Sequence, residues 1–144
     1  DIGGVWAELK GAPNINILRD TITILLDLRR EEEFDIIYFG GVRSGTDAAK
    51  LIGLGANVLV LGVAVGLAVG GVMTDDGLQF VSDFTDEDRT TATINIIKAS
   101  VGEASMMARC TGKTNLHNVE PEDLRAVTIA TAAASGIPLV GKQE

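Results

Sequence analysis

Blocks of apolar residues along the chain predict helices and short strands in alternation. From about Ile17 to Glu33 the apolar positions recur every three or four residues, which is typical of an amphipathic helix. Asp35–Phe39 and Asn57–Leu61 are short apolar runs that each end at glycine, the pattern of parallel strands buried on both faces. A helix is predicted after each strand, ending near Leu54 and Met73. The first half of the chain is therefore predicted to be an α/β unit.

The rest of the chain is predicted to be helical. Thr85 and Asp88 have the spacing of an N-terminal cap, and an apolar stripe follows to about Thr111. Proline at position 121 is predicted to begin a last helix that ends near Gly136. The chain is thus expected to form one partial domain over residues 1–144: a loop over 1–16, a helix-strand-helix-strand-helix unit over 17–76 and a helical tail over 77–144.

Composition narrows the possible partners. A net charge of −8 argues against nucleic-acid binding, since a phosphate backbone requires clustered lysine and arginine. The single cysteine, Cys110, excludes an internal disulfide and a metal site of several thiolates, and it fits a reducing cytoplasm. Residues 57–73 carry no charge, but repeated glycines favour a strand and a helix over a membrane span. We expect a cytoplasmic protein that binds neither membrane nor nucleic acid.

Two glycine turns are the strongest candidates for chemistry. Each follows a predicted strand, the first at Gly40-Gly41-Val42-Arg43-Ser44-Gly45 and the second at Gly62-Val63-Ala64-Val65-Gly66. Glycine allows a backbone to approach an anion closely, and N–H groups converge where a strand passes into a helix. A single such turn is more often only a turn in the chain. Two turns, with Arg43 near the first, favour a phosphate site.

Longer segments resemble a known family. Residues 40–56 resemble the phosphate-binding strand-turn-helix of FMN-binding barrels. Residues 108–128 and 136–141 are similar to the C-terminus of the FMN domain of archaeal-type glutamate synthase. Asp1, Gly3-Gly4 and Ala12-Pro13 resemble that family's glycine-rich loop after strand six. The resemblance implies the C-terminal portion of a TIM (β/α)8 barrel, from about strand seven to strand eight with the C-terminal helices. At 144 residues the chain is too short for the ~250 of a whole barrel.

The resemblance also implies site residues. The FMN phosphate would be held by Gly40, Gly41, Arg43, Gly62, Val63 and Ala64, and Asp1 and Gly3 would lie near the substrate and the flavin edge. No catalytic residue is assigned. The sequence departs from the family in having valine at position 63 instead of threonine, and in an insertion over Val5–Lys10. It also has no cysteine between Gly66 and Asp88, so we expect no iron–sulfur cluster and no metal site.

The function implied by the resemblance is that of a glutamate-synthase-like oxidoreductase. In that family reduced FMN supports the formation of L-glutamate from 2-oxoglutarate and nitrogen from ammonia or glutamine. The chain alone is not expected to be active, and its expected partners are a small-molecule substrate and the missing N-terminal half of the barrel, or a second copy. Alternatives are a non-catalytic half-barrel module for binding or assembly, and a subunit of an N-methylglutamate-forming relative.

Three further features have ordinary structural explanations. His117 is expected to lie at the surface or to cap a turn. Cys110, near two methionines, is expected to be a small core residue. The acidic residues at 83 and 86–88 are expected to stabilise the start of a helix through its dipole, without binding metal.

Overall fold

The computed structural model of the chain describes residues 14–80 and 83–141. These residues contain five helices, α1 (Ile15–Leu28), α2 (Gly45–Gly53), α3 (Val63–Ala68), α4 (Asp86–Cys110) and α5 (Ile129–Ser135). The same residues contain four strands, β1 (Ile37–Phe39), β2 (Val58–Val60), β3 (Gly71–Thr74) and β4 (Gly77–Phe80). Short 3-10 turns cover Leu116–Asn118 and Pro121–Asp123. The described residues thus form a mixed α/β structure, as the sequence predicts.

The two predicted strands pair with each other. β1 and β2 are parallel, with Ile37 opposite Val58 and Phe39 opposite Val60. The intervening α2 begins at Ser44, whose Oγ accepts a hydrogen bond from the Asp47 N–H at 3.4 Å. The helix is followed by Gly55 at φ +111°, where an added Cβ would lie 2.7 Å from the Ile22 Cδ1 atom of α1. Glycine is needed there both for the backbone and for the close approach of α1.

A hydrophobic core lies between the helices and one face of this small sheet. Its buried residues come from α1, from the turn after β1, from α2 and from the tail, and they are Leu18, Val42, Leu51, Leu54, Ala56, Ala126 and Ile137. Tyr38 and Leu59, the middle residues of the two strands, pack against this cluster. One side chain of α1 adds polar contacts, because Arg19 donates to the backbone carbonyls of Ser135 and Leu54 at 3.1 and 3.0 Å.

The other face of the sheet is open, which corrects the prediction of strands buried on both faces. Ile37 and Phe39 of β1 are 64% and 36% exposed, and Val58 and Val60 of β2 are 48% and 39% exposed. We call these four residues the open strand face. Strands with apolar side chains on both sides are expected to be covered on both sides. Within residues 14–80 and 83–141, only one side is covered.

β3 and β4 form a β-hairpin where the sequence predicts helix. The hairpin takes the place of the end of the helix predicted to reach Met73 and of the start of the helical tail predicted over 77–144. α3 ends at Ala68 rather than Met73, because Gly70 adopts φ +90° and the chain turns into β3. β3 and β4 are antiparallel, with Thr74 opposite Gly77 across the Asp75-Asp76 turn. Leu78 of β4 packs directly on Gly66 of α3, where an added Cβ would overlap the leucine side chain. The hairpin therefore covers the glycine face of α3.

Two helix boundaries also differ from the prediction. α1 ends at Leu28, before the acidic residues at 31–33, because Arg29 takes the left-handed conformation at φ +54°. Pro121 begins only a 3-10 turn. The last helix begins later, after Thr128, whose Oγ1 accepts a hydrogen bond from the Thr131 N–H at 3.1 Å. By contrast, α4 begins with the predicted capping box of Thr85 and Asp88.

Candidate functional site

The two glycine turns lie beside each other at one end of the β1–β2 sheet. Phe39 and Val60 are register partners, so the chain leaves both strands at the same level and enters Gly40-Gly41 and Gly62 next to each other. Gly40 and Gly41 have φ values of +124° and +66°, which only glycine adopts at little steric cost. Parallel pairing thus brings together the two segments that the sequence singles out separately.

The second turn leads directly into a short helix. Gly62 is the N-cap residue of α3 and makes no side-chain cap, and its carbonyl accepts from the Gly66 N–H at 3.1 Å. Gly62, Val63 and Ala64 are half-buried. The side of this turn therefore consists of backbone and small apolar side chains, and Val63 provides no hydroxyl group.

Arg43 forms an ion pair with Asp47 in the first turn of α2. Its side chain is 82% exposed, and its Nε lies 3.1 Å from Oδ2 of Asp47, one helical turn further on. The same oxygen accepts from the Arg43 backbone N–H at 3.3 Å. Asp47 is only 20% exposed, and ion pairs near the surface contribute about 0.2–1 kcal/mol. Arg43 can therefore exchange Asp47 for another anion at small cost, but the described contacts tie it to Asp47.

The N-terminus of α2 binds an anion from the protein itself. The Gly45 N–H donates to Oε2 of Glu103 at 2.8 Å, and the Thr46 hydroxyl donates to Oε1 of the same carboxylate. The Thr46 hydroxyl is the main reason that the pKa of Glu103 lies below its ordinary value. A carboxylate is favoured at a helix N-terminus by the orphan N–H groups and the dipole. Because Glu103 already occupies the start of α2, the residues predicted to bind phosphate are those at the ends of β1 and β2.

Close packing fixes Glu103 in this position. At Gly45, an added Cβ would lie 2.5 Å from the Ala104 backbone nitrogen and 2.7 Å from the Glu103 Cβ. Helix α4 can approach α2 this closely only because position 45 is glycine. The sequence does not indicate the role of Glu103, because the contact joins residues 58 positions apart and Glu103 lies in no distinctive motif.

Gly40 and Gly41 also line a cavity of about 410 Å³ on the core side of β1. Its walls come from α2, the segment 124–127 and α5, together with Tyr38. Arg43, Gly62, Val63 and Ala64 are not among its lining residues. The cavity therefore shares Gly40 and Gly41 with the candidate phosphate site but none of the other four residues of that site.

The remaining candidate residues are structural or lie outside the described residues. Asp1 and Gly3, predicted near substrate and flavin, fall outside residues 14–80 and 83–141. His117 is exposed, as predicted, and its Nε2 lies 3.1 Å from the Asn57 carbonyl. Cys110 is also exposed, which corrects the prediction of a core residue, because it is the last residue of α4.

Asp86, Glu87 and Asp88 lie in the first turn of α4, as predicted, and Asp88 caps the helix. Asp88 accepts from the Thr85 N–H at 2.9 Å and from its hydroxyl at 2.7 Å. The Thr85 hydroxyl is the main cause of a lowered pKa of Asp88. Across the described parts of the chain, no group of three or more His, Cys, Asp or Glu residues is arranged to hold a metal ion. No helix in those parts has the length and apolar character needed to span a membrane.

Comparison with known proteins supports the resemblance. The chain is similar to the glutamate synthase large subunit-like protein of Rhizobium meliloti (strain 1021), at 32% identity over 168 residues. The match covers 95% of this chain but only 38% of the relative. Because the aligned region is longer than the 144-residue chain, the relative has residues inserted within it. No family model and no solved structure matches the chain. The similarity supports a relationship to the glutamate synthase family.

Proposed function

We propose that this chain is the FMN-phosphate-binding part of a glutamate-synthase-like, flavin-dependent oxidoreductase. One observation carries the proposal most directly: in-register parallel pairing of β1 and β2 brings Gly40-Gly41 and Gly62 to the same end of the sheet. Both segments present backbone at a strand end, where close approach to a phosphate is sterically possible. The similarity to a glutamate synthase large subunit-like protein supports the same function from the sequence.

The residues of the site fit a phosphate group. Gly40 and Gly41 allow the backbone to come close to a phosphate without a Cβ in the way, and Gly62 does the same at the second turn. Arg43 can exchange its exposed contact with Asp47 for a phosphate oxygen. FMN, when bound, would supply the two-electron chemistry needed to form L-glutamate from 2-oxoglutarate and ammonia or glutamine nitrogen. The residues named here would bind and orient its phosphate.

The open strand face supports the second part of the proposal, that another polypeptide segment completes a barrel. The relative extends well beyond the match, since the chain spans only 38% of its length. Within the described residues, β1 and β2 pair only with each other, so two edges and one apolar face stay uncovered. We propose that the occupant of this face is the N-terminal half of the barrel. This chain would then provide strands seven and eight with the C-terminal helices.

A flavin titration tests the phosphate site. The full chain is titrated against FMN and, in parallel, against riboflavin, which has the same ring and no phosphate, with flavin fluorescence as the signal. We expect a clear preference for FMN. Val63→Thr should strengthen FMN binding about tenfold by adding a hydroxyl donor to the phosphate, since a hydrogen bond to a charged group contributes about 1.5–3 kcal/mol. Equal binding of FMN and riboflavin, with no effect of Val63→Thr, would count against the site.

A non-catalytic role is the second candidate, because the incomplete sheet is compatible with it as well. A half barrel that only binds a phosphate or assembles with a partner would have the same open strand face. The visible spectrum of the chain purified with its partner segment separates the two candidates, because bound flavin absorbs in the visible. A colourless, stable complex supports the non-catalytic role.

A further inference from the structure

The acid that pairs with Arg43 belongs to the helix that follows the first glycine turn. Asp47 lies in the first turn of α2, where the helix dipole favours a negative charge. Its backbone N–H donates to Oγ of Ser44 at 3.4 Å, and its side chain is half-buried. The helix therefore sets the position of the carboxylate, whereas the Arg43 side chain is exposed and can move away from it.

Asp47 holds Arg43 at two points with a single oxygen. Its Oδ2 accepts from the Arg43 Nε at 3.1 Å and from the Arg43 backbone N–H at 3.3 Å. Both donors lie in the first glycine turn, two residues after Gly41. In the free chain a carboxylate thus already balances the positive charge beside the candidate phosphate site. A ligand gains from that charge only by drawing Arg43 away from Asp47.

The charge of the ligand decides this competition. A monoanion that replaces the Asp47 carboxylate exchanges one negative charge for another, so the exchange brings little net attraction. A terminal phosphate monoester carries about 1.5–2 negative charges at neutral pH, because its second pKa is about 6. Such a dianion attracts Arg43 more strongly than a carboxylate does, and an ion pair near the surface costs little to break.

We propose that Asp47 is a specificity-determining residue, which makes Arg43 bind a phosphate monoester dianion but not a monoanionic group such as a sulfate ester or a phosphodiester. This inference rests on the proposed phosphate site and adds which ligands that site selects. Arg43 leaves Asp47 when a dianion binds at the glycine turns, and it stays on Asp47 when a monoanion binds there. The negative charge at position 47 thereby sets a threshold for the charge of the ligand.

A second acid at the start of α2 provides a matched control. Glu103 accepts from the Gly45 N–H at 2.8 Å and from the Thr46 hydroxyl, and neither contact involves Arg43. Glu103→Gln therefore removes one negative charge at the same helix start and retains the pair of Arg43 with Asp47. If only this pair sets the threshold, Glu103→Gln should leave the selection by charge unchanged.

Three flavins that differ only at the 5′ position test the threshold. Riboflavin is uncharged there, riboflavin 5′-sulfate has one negative charge, and FMN has close to two at pH 8. Their affinities for the full chain are measured by flavin fluorescence. In the wild type, Arg43→Gln should weaken FMN binding about fivefold and should change sulfate binding less than about twofold.

Removal of the competing acid should abolish the difference between the two anions. Asp47→Asn should strengthen the binding of FMN and of riboflavin 5′-sulfate, because Arg43 is then available to both. In the Asp47→Asn chain, Arg43→Gln should weaken both ligands about fivefold. In the Glu103→Gln chain, it should weaken FMN alone, as in the wild type.

The NMR signal of the Arg43 Nε–H group follows the exchange directly. In the wild type, FMN should shift this signal, and riboflavin 5′-sulfate should leave it at its position in the free chain. A shift of equal size with both ligands would show that a monoanion also displaces Asp47, and would overturn the proposal.

The outcomes separate this inference from the proposed function. A chain that binds FMN no better than riboflavin would overturn both. A preference for FMN, with equal effects of Arg43→Gln on FMN and on the sulfate, would retain the phosphate site and overturn the role of Asp47. Weaker FMN binding by Asp47→Asn would also overturn that role, since Asp47 would then orient Arg43 toward the phosphate.

Discussion

Replacing Ile37 and Val58 together by threonine is expected to change the association state of the isolated chain. Both residues lie on the open strand face, with Phe39 and Val60, and about half of each of the four side chains faces water. Full burial of one such side chain stabilises a protein by about 1.5–3 kcal/mol. Covering the exposed half of all four side chains would therefore stabilise the protein by about 3–6 kcal/mol. That is a large fraction of a typical stability of about 5–15 kcal/mol.

When no other polypeptide segment covers the open strand face, the chain is therefore expected to cover it by self-association. Sedimentation velocity at micromolar concentration should show dimers or larger species, and Ile37→Thr with Val58→Thr should shift them to monomer. Threonine keeps the β-branched shape that suits a strand. The matched control is Val127→Thr with Ile129→Thr, two tail residues that are 79% and 78% exposed, which should leave association unchanged. A wild-type chain that stays monomeric and unfolds cooperatively would refute the reasoning.

Three shorter predictions concern the helices. Gly45→Ala should destabilise the chain by about 1–3 kcal/mol in denaturant unfolding, because its Cβ would collide with α4; Gly102→Ala, where a Cβ meets open space, should stabilise it. The pKa of Glu103 is lowered in the folded chain. Its contribution to the free energy of unfolding is therefore fully present above its pKa in the unfolded chain, near 4.5, and is lost as the pH falls through its pKa in the folded chain. Glu103→Gln should flatten that part of the stability–pH curve, and an unchanged curve would exclude the contact. Arg29→Gly should raise the free energy of unfolding by about 1 kcal/mol, since glycine relieves a left-handed residue.

Local signals made much of the fold predictable. Ser44 and Thr85 cap their helices as predicted, because each bond joins residues only three positions apart. The two strands were also found, since short apolar runs between helices have few alternatives. The hairpin was missed because an apolar stretch with several glycines suits a small-residue helix as well as two strands. In the structure the helix ends and the strands β3 and β4 form, because Gly70 has a positive φ and Leu78 packs on Gly66.

Features that depend on distant contacts could not be predicted in the same way. Glu103 reaches the start of α2 from a helix far along the chain. The exposure of Ile37 and Val58 depends on which segments cover the sheet, and a strand sequence alone does not contain that information. The glycines of the candidate site were identified from their own pattern. Their proximity follows only from the register of β1 and β2.

The affinity of the full chain for FMN, measured for Gly41→Val beside Gly102→Val, tests the central claim most directly. Gly41 lies at φ +66° in the first turn, so valine there should both strain the backbone and block the approach of a phosphate. Gly102 lies on α4 with open space around its Cβ position and serves as the control. We predict that Gly41→Val abolishes the preference for FMN over riboflavin and that Gly102→Val retains it. A folded Gly41→Val chain that binds FMN as the wild type does would contradict the account.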